Sequence, residues 1–406
     1  MRLADCTTFV VGNPPPHFGG RYFIFVKLVT SCGIIGYGEI YAASFSPHLT
    51  ASLAEDMFSR YLEGADPHQI ELFVRRAYGS GFTHRPDATV AGVISGLEMA
   101  CMDIIGKAHD MPCYDLIGGR VQDRLRCYTY LYPAEGQDAA SFYADSQASA
   151  ERAAQKVAEG FTAVKFDPAG PYTICDGRQP DQASLHRSRN FCRDIRQAVG
   201  DKADLLFGTH GQFTPAGAIR LARYLEEFDP LWFEEPVPPD NPEAMAQVAR
   251  STSIPVATGE RLCMAVEFQA ILDAGAASIL QPDLGRAGGI REGYKIGMMA
   301  GLRQVSVAPH LYCGPLVAAA NIQLATALPN FLILEVIEQM DGFHRQLVTS
   351  DFEFDAGYII PPTGAGLGFE LNEEVASAHP YSGDKLHLEM QNRPFDARTD
   401  QYFAGG

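Results

Sequence analysis

What the chain lacks narrows its class first. Its nine cysteines include no Cys-x-x-Cys pair, and an odd number scattered over 406 residues reads as reduced thiols of a cytoplasmic protein, not a disulfide frame. No apolar run reaches the roughly 18 residues of a membrane span. The start, Met1-Arg2-Leu3-Ala4-Asp5, carries no apolar leader core. Lysine and arginine are scarce, 32 against 49 acidic residues, for a net charge of −17. No basic cluster offers a surface to phosphates, so a nucleic-acid partner is excluded from the expectations. An acidic chain that takes an anionic substrate needs a local cation in its site. No Gly-x-Gly-x-x-Gly opens a helix after an apolar run, which counts against a dinucleotide-binding sheet.

What is present divides the chain into three. Residues 1–125 read as an α+β capping domain. Within them 22–29 and 33–39 are strands joined by the turn Ser31-Cys32-Gly33. The stripe Ile94, Leu97, Cys101, Ile104, Ile105 and Ala108 has helical spacing. From 126 to 345 strand and helix patterns alternate. Strands are predicted at 126–130, 163–167, 204–207, 231–234, 255–257, 278–281, 305–308 and 331–335, with Thr214-Pro215 and Asn241-Pro242 starting two of the helices. Eight such repeats predict a parallel β/α barrel, with an open doubly wound sheet as the alternative. Residues 346–406 stop alternating and are expected to pack back on the capping domain. The polar loop 168–188 and the Pro14–Arg21 segment are candidate covers for a site.

Barrel catalysis is carried at the C-terminal strand ends. Those ends here hold Lys165 and Asp167, which share a strand face, then His210, Glu234, Glu260, Asp283, His310 and Glu335. Positions 208, 234 and 260 recur at an interval of 26 residues, and the first of them is Gly208. One glutamate at a strand end is ordinarily a cap or loop residue; the joint set is what points to chemistry. Glu234 and Glu260 are candidate ligands for a hard divalent cation such as Mg²⁺, with Mn²⁺ as the substitute. Asp283 orienting one nitrogen of His310 leaves the other as a base for the proton alpha to a carboxylate. Glu335, if protonated, can donate to the resulting enediolate oxygen.

These residues resemble the enolase superfamily in its mandelate racemase branch. The resemblance is carried by Ile94-Ser95-Gly96-Leu97-Glu98 through Gly118-Gly119, Trp232-Phe233-Glu234-Glu235-Pro236, Gly259-Glu260 and Gln281-Pro282-Asp283, and it spans nearly the whole chain. It implies a modified (β/α)7β barrel of the TIM type behind the capping domain, and assembly into a homo-oligomer. With His210 two residues past the first metal position and His310 across the site, the chain is most similar to acid-sugar dehydratases of the galactonate and mannonate type. That similarity implies a small-molecule sugar acid as substrate. It also implies that His310 removes the alpha proton and His210 protonates the departing β-hydroxyl. A racemase, epimerase or cycloisomerase sharing the enolate step is the alternative, with Lys165 as the residue racemases use for a second base. The family pattern wants Asp at Gly208. Three readings follow: Asp167 supplies the missing carboxylate, His210 turns in as a nitrogen ligand, or the chain is a metal-impaired sugar-acid binder. Tyr172, Arg178 and Arg21 are candidate substrate contacts from the two loops.

Overall fold

A computed structural model describes residues 1–394 apart from Ala43, Pro86 and Pro171; the last part of the 346–406 segment, 395–406, lies outside the described residues. The chain opens with an antiparallel sheet of β1 (Leu3–Gly12), β2 (Tyr22–Thr30) and β3 (Ile35–Ile40), in the order β1-β2-β3. Helices α1 (Pro47–Tyr61), α2 (Ile70–Tyr78), α3 (Ala88–His109) and the single turn α4 (Cys113–Leu116) follow. β1 carried no sequence expectation, because its alternate residues are only half-buried and its apolar pattern is weak. α3 starts on Asp87, whose carboxylate accepts the Val90 N–H. Over an 18-residue window α3 is apolar enough to span a membrane, but most of that window is packed inside the fold. β3 lies unusually close to α3: a Cβ on Gly38 would stand 2.0 Å from the Gly96 carbonyl oxygen, so only glycine fits there.

The barrel strands are β4 (Leu125–Tyr130), β5 (Ala163–Phe166), β6 (Asp204–Gly208), β7 (Trp232–Glu234), β8 (Val256–Thr258), β9 (Ile279–Leu280), β10 (Ser306–Val307) and β11 (Leu334–Val336). Between them run α5 (Ala139–Ala144) and α6 (Ser146–Ala158), α7 (Gln182–Val199), α8 (Pro215–Leu225), α9 (Pro242–Ala249), α10 (Met264–Ala274), α11 (Ile290–Gly301) and α12 (Pro315–Ala327). Neighbouring strands pair in parallel from β4 to β10, β11 returns to β4, and a bridge from Val307 to Phe331 closes the circle. This is the barrel of the sequence expectation, and the open sheet is set aside. The predicted caps hold: Thr214 accepts the Gly217 N–H and Asn241 the Ala244 N–H.

The barrel interior is its own core. Tyr128, Ala163, Leu206, Trp232, Ala257, Ile279, Ala308 and Ile333, one from each strand or its flank, meet there. Alanines at 163, 257 and 308 leave room for the larger side chains, and Tyr128 meets Trp232 edge to face at 5.3 Å. This layer seals the floor under the site.

Two capping-domain carboxylates lock the cap onto the barrel. Glu39, at the end of β3, accepts the N–H groups of Gly314, Leu316 and Val317 at the start of α12. Glu98, on α3, accepts those of Ile290 and Arg291 at the start of α11. Helix N-termini expose just such unpaired donors and carry partial positive charge. Burial pushes Glu39 up to about 8 and Glu98 up to about 7, against the bonds that favour their ionised forms. After the barrel, Glu353–Asp355 and Tyr358–Ile360 form a hairpin that pairs antiparallel with β4. Further on, the Tyr381 N–H bonds to the Val10 carbonyl, and Lys27 pairs with Glu373 at 2.7 Å.

Candidate active site at the carboxyl ends of the barrel strands

A cavity of about 580 Å³, its mouth included, opens over the strand ends. Its floor is ionic: Lys165, His210, Glu260, His310 and Glu335. Its walls are aromatic: Tyr41 from the cap, Tyr130, Tyr132, Tyr143, Tyr172 and Tyr312, with Leu388 from the C-terminal segment. The strand ends thus bring most of the sequence-derived residues into one space. The tyrosine wall was not foreseen. Its members come from five separate places in the chain, and only Tyr130 and Tyr132, at the end of β4, share a strand spacing.

His310 follows β10 in a dyad with Asp283, which follows β9. Nδ1 lies 2.7 Å from Asp283 Oδ2, and Asp283 Oδ1 accepts the Gly285 N–H. Nε2 faces the cavity, 3.2 Å from Glu260 Oε2 and 3.9 Å from Glu335 Oε2. Burial by itself lowers this imidazolium, but Glu260, Glu335 and the bond to Asp283 outweigh burial and hold it at about 9. Glu335 is fixed by the Leu311 N–H and by Lys165.

Lys165, at 2% exposure, is an internal counter-ion. Its Nζ lies 2.6 Å from Glu234 Oε1 and 3.3 Å from Glu335 Oε1. Burial disfavours the ammonium, yet Glu234, Glu335 and Glu260 hold it above the ordinary lysine range. The other Glu234 oxygen accepts from Gln281 Nε2 at 2.8 Å.

The β6 end carries the departure from the family pattern. Gly208 pairs in register with Glu234, so a side chain at 208 would stand beside that carboxylate. Space exists for one, since a Cβ there would meet Asp167 Cβ and Lys165 Cε at an ordinary 3.6 Å. Two residues on, His210 has φ of 48°, a left-handed conformation that costs a non-glycine residue strain and needs support. Arg261 Nη2 donates to its carbonyl at 2.9 Å and also binds the fully buried Glu235. Thr209 Oγ1 lies 2.9 Å from both the Glu234 and Glu235 carbonyl oxygens. The result turns the His210 ring inward. Its Nδ1 is 2.8 Å from Asp167 Oδ2, and its Nε2 is 3.3 Å from the Tyr172 hydroxyl and 3.9 Å from Glu260 Oε2. Tyr172 also packs on the ring at a tilt of 44°, 4.1 Å between centroids.

One atom each from His210, Glu234 and Glu260 lie within 4.8 Å of one another, close to the span of about 4.0–4.4 Å across a single cation with bonds of about 2.0–2.2 Å. The donor set fits a divalent ion. Glu260 Oε2 is buried and accepts no hydrogen bond of good geometry. Burial raises the Glu260 carboxyl, but His210, His310 and Lys165 outweigh it and keep it ionised far below the usual range. Asp167, expected as the substitute ligand, does not join this group. Its oxygens serve His210 Nδ1 and the Ala169 N–H.

The loop residues divide. Tyr172 lines the cavity. Arg178 does not: it is clasped by Asp176 and Gln212, both at 2.7 Å, and fastens the loop before α7 to the β6 end. Arg21 donates to the Leu386 carbonyl at 3.0 Å and approaches Glu389 at 3.9 Å, so it binds the C-terminal segment beside the cavity wall, where its charge acts on Tyr312. Both arginines were chosen for charge and loop position, which do not specify a partner.

Comparison with known proteins agrees with this geometry. Residues 18–118 match the mandelate racemase/muconate lactonizing enzyme N-terminal domain family, and residues 148–375 match the enolase C-terminal domain-like family. The chain is 34% identical to a D-xylonate dehydratase of Haloferax volcanii over 395 residues, covering 94% of this chain and 90% of that protein. It is 34% identical to a D-galactonate dehydratase of Verminephrobacter eiseniae over 384 residues, covering 92% and 93%. Among solved structures, a mandelate racemase/muconate lactonizing enzyme from Sulfitobacter sp. superposes with a TM-score of 0.95 at 55% identity, covering 98% of this chain and all of that one.

Proposed function

The chain belongs to the mandelate racemase/muconate lactonizing enzyme family, and from that premise we propose that it is a metal-assisted sugar-acid dehydratase, acting on an aldonate to give a 2-keto-3-deoxy acid. The observation that carries this reading is the Asp283–His310 dyad, with Nε2 aimed into a cavity whose floor also holds Glu260 and Glu335. The curated relatives named for D-xylonate and D-galactonate dehydration support the substrate class.

Glu234 and Glu260 would hold the cation. When bound there, a divalent ion supplies positive charge that acidifies the C–H alpha to a chelated carboxylate and offsets the carboxylates that keep His310 cationic. His310 Nε2 takes the alpha proton, while Asp283 fixes the ring and favours the imidazolium. The electron pair left on the alpha carbon forms the double bond as the β C–O bond breaks. The imidazolium returns its proton to the departing hydroxide on the same face, and water leaves. The enol then tautomerises to the keto acid. Glu335, held by Lys165 and the Leu311 N–H, lies 3.9 Å from His310 Nε2 on the cavity floor. The six tyrosines exclude bulk water and offer hydroxyls to the sugar.

Two-base racemisation is the weaker reading. Lys165 is bound by two carboxylates and retains its proton, so it is a poor partner base.

The test is incubation with a panel of aldonic and aldaric acids and a divalent cation, with 2-keto acid assayed as the semicarbazone. Keto acid from an aldonate is expected; none from any acid refutes the proposal. In D₂O, His310→Asn should slow alpha-proton exchange by about 10²–10⁴-fold, the usual worth of a general base. Exchange at the wild-type rate would remove His310 from the role.

A further inference from the structure

We propose that the third protein ligand of this cation is the His210 imidazole in place of a β6 carboxylate, so that the site favours borderline ions such as Co²⁺ and Zn²⁺, and to a smaller extent Mn²⁺, over Mg²⁺. The inference rests on the assignment of Glu234 and Glu260 as ligands made above.

Three observations meet at this point. First, the position in register with Glu234 is Gly208, which offers no donor although a side chain would fit. Second, His210 is held in a strained left-handed conformation by Arg261, which turns its ring back toward the vacated place. One atom of its ring joins a Glu234 and a Glu260 oxygen in a cluster within 4.8 Å, with Nε2 at 3.9 Å from Glu260 Oε2; that buried oxygen, 3.2 Å from His310 Nε2, accepts no hydrogen bond of good geometry among the described residues. Third, Asp167 lies on the far side of the ring, 2.8 Å from Nδ1. A carboxylate behind a ligating histidine fixes the tautomer and raises the basicity of the ligating nitrogen. Asp167 is thus a positioning residue for the ligand.

The chemistry of the donors sets the preference. Mg²⁺ favours oxygen ligands in a near-octahedral shell and parts with water reluctantly. Imidazole suits Zn²⁺, Fe²⁺ and Ni²⁺, and the affinity of such nitrogen-bearing sites rises from Mn²⁺ through Fe²⁺ and Co²⁺ to Ni²⁺. Exchanging an Asp for a His moves the site in their direction. It also takes His210 out of acid–base work, which leaves His310 to carry both proton transfers.

The experiment uses metal-free full-length protein. Calorimetric titration with MgCl₂, MnCl₂ and ZnCl₂ should show Mn²⁺ and Zn²⁺ binding at least about 100-fold tighter than Mg²⁺. Pulsed EPR of the Mn²⁺ complex should show nitrogen coupling from one imidazole, absent in His210→Asn. Gly208→Asp, which offers a hard oxygen at the empty position, should narrow the Mn²⁺/Mg²⁺ ratio by about 10-fold or more. Should His210→Asn fail to fold, Asp167→Asn keeps the ligand and loosens its ring; it should retain the coupling and lose about 10–100-fold in Mn²⁺ affinity. No nitrogen coupling in the wild type, coupling that survives in His210→Asn, or Mg²⁺ binding as tightly as Mn²⁺ each overturns the proposal. A nitrogen-coupled ion in a protein that dehydrates no sugar acid upholds this assignment and refutes the reaction instead.

Discussion

Replacing His387 with leucine should flatten the acid side of the stability profile. His387 is 3% exposed and enclosed by the rings of Tyr22, Tyr41 and Tyr312, at 5.3, 4.9 and 5.8 Å. The Gly20 backbone packs so tightly on it that a Cβ there would lie 1.9 Å from Nε2. Neither ring nitrogen has a hydrogen bond of good geometry. Burial, with Arg286 nearby, lowers its pKa from 6.5 to about 3. The folded protein therefore keeps this ring neutral, while the unfolded chain takes up a proton below about pH 6.5. Stability is full above that pH and falls as pH drops toward 3. The loss from this one group is about 1 kcal/mol at pH 5.5 and about 3 kcal/mol near pH 4.5. Leucine has similar bulk and no charge to gain. Urea unfolding of wild type and variant from pH 7.5 to 4.5 gives the difference directly, and Trp232, the only tryptophan and wholly buried in the barrel, reports it by fluorescence. His344, lowered to about 4 by burial, titrates in both proteins and cancels in the comparison. The variant's advantage should grow as pH falls. Parallel profiles would refute the argument that His387 is buried neutral.

Two other substitutions test how the site is built. Gly259→Ala places a Cβ 2.8 Å from the Phe268 ring and 2.9 Å from the Gln281 backbone, at φ of 143°; about 3 kcal/mol of stability should be lost, seen as a fall in melting temperature, and an unchanged melting temperature would contradict the packing. Arg261→Ala leaves Glu235 buried and uncompensated and frees the His210 carbonyl. It should cost about 2 kcal/mol in urea unfolding, less than a fully buried pair because Arg261 is a third exposed; pairing it with Glu235→Gln should recover part of that loss.

The legible and illegible parts of the site differ in physical kind. Asp283, His310, Glu234 and Glu260 could be found because each ends a short apolar run and the runs recur at a barrel repeat. Convergence of those ends follows from the fold class alone. Asp167 was expected as a substitute ligand from its place on the strand beside Gly208, and strand position says nothing about which way a carboxylate turns. Its partner lies 43 residues on, across β6. Lys165 carried a sequence expectation as a base, but its two carboxylate partners come from β7 and β11. The antiparallel hairpin of 353–360 was invisible because its six paired residues are too few to set a period.

By itself the sequence determined a barrel behind a capping domain, the strand ends that face one another, and a glycine at the first of three evenly spaced strand-end positions. Periodicity and spacing are local properties, so they survive in one dimension. Only the tertiary structure decided who holds whom: Asp167 behind His210, Lys165 between Glu234 and Glu335, Arg178 clasped away from the cavity, and tyrosines gathered from cap, loops and strands into one wall. Those pairings depend on side-chain direction and on the low-dielectric burial that makes each buried charge find a partner. Neither quantity exists until the chain has closed on itself.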